Sequence, residues 1–148
     1  MDGYEIIGES IKSAISIKLG EIFGTDTIRY KEKVSKMKYP NFFIYQLSVT
    51  PTSKGRNRWE LEYLINIRYR YVEDVTTISN IEQILDNIGL QLCTQLTGID
   101  LELPVPTYNR RYEKEDGVCQ FFCNIKIFIK SDVIDDIKMR KLNLNEEV

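Results

Sequence analysis

The sequence contains no histidine. Histidine is the commonest general base near neutral pH and the commonest zinc ligand. Its absence excludes Ser-His-Asp and Cys-His catalysis outright. Cysteine is scarce, with three residues: Cys93, Cys119 and Cys123. An odd count with no secretory mark points to a reducing compartment. The start, Met1-Asp2-Gly3-Tyr4-Glu5, lacks the basic stretch and apolar block of a signal peptide. No apolar run approaches the roughly 18 residues that a membrane span needs. The expectation is a protein made in the cytoplasm, with no membrane partner. Basic residues are not in excess either: the net charge is −2 and the sequence pI about 5.3. A general nucleic-acid binder gains affinity by neutralising phosphates and carries a basic surplus. Only a local basic patch stays open. Glycine loops with Walker or dinucleotide spacing are missing. No motif supports Ser-Lys or carboxylate-pair catalysis, so the chain reads as a non-enzyme without cofactors.

What is present is an ordinary globular composition, 43% hydrophobic and 28% charged over 148 residues. That length fits one domain, which buries roughly two-thirds of the surface its unfolded chain exposes.

Ile7, Ile11, Ala14, Ile15, Leu19 and Ile22 recur at helical spacing and predict a helix over 4–23, stopped by Gly24. Ile6 and Ile17 fall on another flank, either as tolerated surface residues or as contacts with a second subunit. A short charged strand is expected over 27–34. Residues 41–50 are rich in aromatic and β-branched residues and read as a strand that Pro51 ends. A turn follows over 52–57.

The clearest pattern comes next. Trp59, Leu61, Tyr63, Ile65, Ile67, Tyr69 and Tyr71 hold the odd positions. Arg58, Glu60, Glu62, Asn66, Arg68 and Arg70 hold the even ones, with Leu64 as the exception. Period two sends the odd set to a buried face and the even set toward solvent. A strand of this length spans roughly 45 Å, well beyond the usual five or six residues. A long hairpin projecting from the domain body is therefore expected.

Ser79 and Glu82 have capping-box spacing and open a predicted helix over 79–96, with a stripe of Ile78, Ile81, Leu85, Ile88, Leu92 and Leu96. Pro104 and Pro106 interrupt the extended segment 99–113, which predicts an edge strand or one entered late, near Tyr108 to Tyr112. Asp116-Gly117 signals a hairpin turn. Val118 to Lys130 reads as the last strand. Residues 132–148 form a charged tail beyond a domain of residues 1–131, with room for a turn of helix around Val133 to Leu142. The order α-β-β-β-α-β-β implies an α+β fold: a mainly antiparallel sheet with two helices packed on one face.

Cys119 and Cys123 lie about 13 Å apart along a strand, too far for a disulfide and poor for chelation. They read as buried apolar thiols. The acidic groups Asp132/Asp135/Asp136 and Glu113/Glu115/Asp116 lack EF-hand spacing and read as solvated charge rather than a metal site. Arg68-Tyr69-Arg70-Tyr71 and Arg110-Arg111-Tyr112 interleave basic and aromatic residues as single-strand binders do. Alternation, however, sends the arginines and tyrosines of the first motif to opposite faces. Lys54, Arg56, Asn57 and Arg58 cluster at the expected hairpin tip, either as an ordinary polar turn or as a basic finger for a neighbouring protein.

These features together resemble the tail terminator (tail completion) proteins of phages and phage-like particles of Gram-positive bacteria. The resemblance spans residues 7 to 131. Its marks are the amphipathic first helix, the Pro-Asn-Phe-Phe-Ile segment at 40–44, the alternating strand ending Arg68-Tyr69-Arg70-Tyr71, the second helix, and Asp116-Gly117-Val118 leading into Phe121-Phe122. It implies a structural protein forming a hexameric ring on the head-proximal end of a tail tube. The implied partners are the tube protein, a neck, connector or collar protein, and sheath protein in contractile tails, with DNA only in transit through the lumen. It implies assembly in the bacterial host cytoplasm and a place in the virion or in a bacteriocin-like particle. It carries over no catalytic residue. Candidate protein-binding residues are Lys54, Arg56, Asn57, Arg58, Arg68, Arg70, Arg110, Arg111, Ile6 and Ile17. The alternatives are a head-tail joining or neck protein and a small nucleic-acid-binding regulator.

Overall fold

The computed structural model describes residues 3–73 and 79–130, with side chains from Ile7 onward. Ile6, Ile78 and the tail with its acidic cluster lie outside the described side chains. The elements run α1 (Gly3–Phe23), β1 (Ile28–Tyr30), β2 (Asn41–Ser53), β3 (Arg58–Arg70), α2 (Ile81–Gln95), β4 (Gly98–Asp100), β5 (Pro104–Glu115) and β6 (Val118–Lys130). The strands form one sheet in the order β1-β2-β3-β6-β5-β4. Every pairing is antiparallel except β1 with β2.

Helix α1 buries Ile11, Ala14, Ile15 and Leu19. It stops where glycine allows it: Gly24 takes φ 114° and its N–H donates to the Gly20 carbonyl at 2.9 Å. Helix α2 buries Leu85, Gly89 and Leu92. Both helices share one core with Leu61, Tyr63, Ile65, Ile67, Phe121, Cys123 and Ile125 of the sheet. They therefore cover the same sheet face, as an α+β fold with stripe-bearing helices requires.

The odd positions of β3 do turn inward. On the other face, two even positions depart from the expectation of solvent exposure: Asn66 is 0% and Glu60 8% exposed. Asn66 Nδ2 donates to the Phe121 carbonyl at 3.1 Å, and its Oδ1 accepts from Arg68 Nε at 2.8 Å. Glu60 sits opposite Phe128, with Lys54 Nζ at 4.0 Å and Lys126 Nζ at 3.8 Å.

Pro51 does not end β2, which runs on to Ser53 with Pro51 opposite Leu61. β1 pairs with β2 only over Asn41 to Phe43, so Pro51 lies on a sheet edge where a missing N–H removes no ladder bond. Leu47 is the extra residue of a bulge between Gln46 and Ser48. The β2–β3 hairpin is long, but it does not project alone. β6 pairs with β3 from Arg58↔Lys130 to Arg70↔Val118. The turn at Asp116 and Gly117 joins β5 to β6 and sets their register, with Glu115 opposite Val118. Both turn residues have positive φ (50° and 75°), as a two-residue primed turn demands.

The capping box does not form. Asn80 stands at the N-cap of α2 without a side-chain cap bond. Glu82 instead pairs with Lys114 at 2.8 Å, and Asp86 meets the same ammonium at 3.0 Å. Lys114 thus ties the helix to β5 and takes the carboxylate that a cap would use. The extended segment holds two strands rather than one. β4 pairs with the Pro104–Pro106 end of β5, and Thr107 onward pairs with β6. The prolines fit because only a three-residue strand flanks them.

Cys119 and Cys123 are fully buried and unbridged. Burial pushes both thiols up to about 12. Burial also raises Cys93, while Arg110 opposes the shift. Alkylation of the native protein at pH 8 should therefore modify Cys93 alone, because a thiol near 12 is only about one part in ten thousand thiolate there. All three should react in denaturant. A second adduct on the native protein, seen by intact mass, would contradict this burial.

Candidate protein-binding surface

The proposed site residues fall into three regions. The first is the end of the sheet where β2 meets β3 and β6 finishes. Gly55 (φ 117°) and Asn57 (φ 63°) let the chain reverse there, and Lys54 N–H donates to the Arg58 carbonyl at 3.0 Å. Lys54, Arg56, Asn57 and Arg58 are all exposed. On the even-numbered face Arg58 stands directly opposite Lys130, a like-charge pair that destabilises a bare sheet. Lys126 lies two pairs further along. Phe128 projects among these cations at 68% exposure. A shallow hollow of about 460 Å³ is lined by Lys54, Arg58, Phe128, Ile129 and Lys130.

The second region is the middle of the same face, opposite the helices. Arg68 lies 4.4 Å over the Tyr45 ring, Arg111 5.2 Å over Phe122, and Lys126 5.0 Å over Tyr108. Tyr108 Oη donates to Glu62 Oε1. Alternation does put Tyr69 in the core, away from Arg68. The aromatic partner of Arg68 comes instead from the neighbouring strand. These cations lie over the ring faces that a base would stack on, which weakens the single-strand reading. Arg70 is exposed at the opposite end of β3 from the tip. Arg110 serves the fold: its Nε donates to the Cys93 carbonyl and its guanidinium to the Thr107 carbonyl, each at 2.8 Å.

The third region is the outer flank of α1. Ile17 is 62% exposed beside a hollow shared with Glu9, Ser13, Asp100 and Leu101. Lys18 bridges to Asp100 at 3.1 Å and pins β4 to this flank.

Sequence reasoning missed Phe128, Lys126 and Lys130. One signal was available: Phe128 is an aromatic on the outward register of an alternating strand. Their meeting with Arg58 depended on strand pairing, which one strand's pattern does not give. Among the described residues, no group of histidine, cysteine or carboxylate side chains could hold a metal ion. No described helix is long and apolar enough to cross a membrane.

No curated protein matches this chain. One solved structure aligns over 83% of this chain and 94% of its own, at 9% identity with a TM-score of 0.37, too slight a likeness to carry a conclusion. The family model described as "Phage tail terminator protein" matches residues 10–137, nearly the whole chain. The chain belongs to the phage tail terminator family.

Proposed function

We propose that this protein caps the head-proximal end of a tail tube as a hexameric ring. In this reading it ends tube polymerisation and offers the interface to the neck or collar, and to sheath in a contractile tail. Family membership makes it a structural protein of tail assembly, located in the phage tail and working among other tail proteins. The observation that carries the finer reading is the cationic sheet end around exposed Phe128. It joins several cations, an exposed aromatic and the end of a strand, a combination suited to anchoring a partner.

The sheet edges support a ring. β1 and β4 each flank only three residues of β2 and β5, so most of these two long strands lies at a sheet edge, and because β2, β3, β6 and β5 alternate in direction, β2 and β5 run oppositely. Copies rotated about an axis along the strands would meet β2 against β5 in antiparallel sense. Such head-to-tail contacts close into rings, and unpaired backbone at strand edges supplies the bonds.

The test reverses the tip charge with Lys54→Glu, Arg56→Glu and Arg58→Glu together. Particles carrying the folded variant should show overlong or irregular tails by electron microscopy. Tails of normal length would remove the tip as a docking element. Normal but unattached tails on deleting the whole protein would point to a neck protein instead.

A further inference from the structure

We infer that Phe128, with the cations around it, inserts into the hollow between α1 and β4 of a second copy of this chain. The contact deepens the ring reading above and rests on it for its head-to-tail sense.

Each half has what the other lacks. At the tip an exposed aromatic stands among Lys54, Arg58, Lys126 and Lys130. Glu60 pairs with Lys54 and Lys126, and Arg58 faces Lys130 directly across the ladder. A projecting ring in cationic surroundings fits an apolar recess with an acidic rim. The hollow beside α1 is such a recess. It measures about 490 Å³, with Ala14, Ile17 and Leu101 as its apolar wall and the small Ser10 and Ser13 leaving it open. Ile17 is exposed there, so an apolar group laid against it removes surface that a single copy leaves wet. On the rim, Glu9, Glu21 and Asp100 share two ammonium groups, Lys12 and Lys18, and exposed Glu102 follows two residues beyond Asp100. The rim is left with a surplus of carboxylate to set against the cationic tip.

The two halves are also placed to meet. Asp100 pairs with Pro104, three residues before Thr107, and Thr107 pairs with Ile125, three residues before Phe128. β4 and Phe128 therefore stand at one level along the strands. Phe128 points away from the helices, whereas the hollow lies on their side of the sheet, so one copy cannot bring its own two halves together. A neighbour rotated about an axis along the strands presents its hollow to this copy's Phe128 at the same height. The halves also flank the two edges proposed to meet: the tip caps β2, and β4 borders β5. Such a contact leaves one tip and one hollow unused at the ends of any open row, and a ring closes by joining them.

Cross-linking of the full-length chain tests this, in a Cys93→Ser background that removes the reactive native thiol. Lys130→Cys marks the tip and Ser10→Cys marks the α1 hollow. With a short bismaleimide at high protein concentration, the two proteins mixed should give a covalent dimer, and either alone should stay monomeric. A protein carrying both cysteines should give a ladder that continues beyond the dimer. Adding Phe128→Ala to the tip-marked protein should slow mixed-dimer formation about tenfold or more, since a central aromatic anchor carries much of such a contact. Phe128 is exposed, so its circular dichroism and melting point should stay unchanged. A dimer from Lys130→Cys alone would set tip against tip and overturn the inference. A ladder that stops at the dimer would overturn the head-to-tail sense. No link in the mixture would leave the tip to a different tail protein and overturn the contact. That failure beside overlong tails from the charge-reversed tip would still keep the capping reading, so the two are judged apart.

Discussion

Valine at Gly89 should cost roughly 3 kcal/mol or more of stability, even though glycine is a poor residue inside a helix. Replacing a helical glycine ordinarily gains up to about 1 kcal/mol. Here the space is taken. A Cβ on Gly89 would lie 2.3 Å from Cδ2, 2.4 Å from Cγ and 2.6 Å from Cε2 of Tyr112. These atoms belong to the ring beside its backbone attachment, not to a mobile side-chain end. The ring is also held at both ends. Tyr112 pairs with Phe121 across the ladder, and its hydroxyl donates to Asp86 Oδ1 at 3.1 Å. α2 would have to lift from β5, straining the Lys114 contacts with Glu82 and Asp86. Ala at the same site should destabilise less, since it adds only the first clashing atom. Thermal unfolding followed by circular dichroism checks both. A melting point for Gly89→Ala above that of the wild type would mean that the helix rides further from the sheet.

Gly89 also marks the limit of what the sequence discloses. The stripe through Leu85, Leu92 and Leu96 was readable because periodicity is local, and so was the inward set of β3. Which helix position must be bare depends on where Tyr112 arrives from another element. The capping box failed for the same reason: Glu82 had a distant competitor in Lys114. Pro51 was misjudged because its cost depends on whether β2 is an edge, a property of the sheet and not of the strand. At the candidate surface, the basic turn at Lys54 to Arg58 was legible from composition. Its union with Phe128 and Lys130 was not, because it depends on the pairing of β3 with β6, strands far apart in the chain that no hairpin turn connects. The same holds for Arg68, whose tyrosine proved to be Tyr45 of the next strand rather than Tyr69 beside it.

Phe121→Ala and Phe122→Ala should part widely, although the two residues are adjacent and alike. Phe121 is fully buried opposite Ile67 in the shared core. Its truncation should cost about 3–5 kcal/mol, from lost transfer energy plus the cavity left behind. Against a typical total of about 5–15 kcal/mol, that is a large share of the stability. A melting point lower by about 10–20 °C is expected for a domain of this size. Phe122 lies half-buried on the opposite face, with Arg111 over its ring. Its loss removes one exposed cation–π contact and should cost only about 1 kcal/mol. Equal costs would mean that the outer face is packed as tightly as the core, which implies a partner already bound there in solution. The contrast also fixes how a tail-length defect is to be read. Phe121→Ala would lose function through lost folded protein. A folded Phe122→Ala protein with abnormal tails would instead place the cation-lined outer face, and not only the tip, among the contacts of the assembled ring.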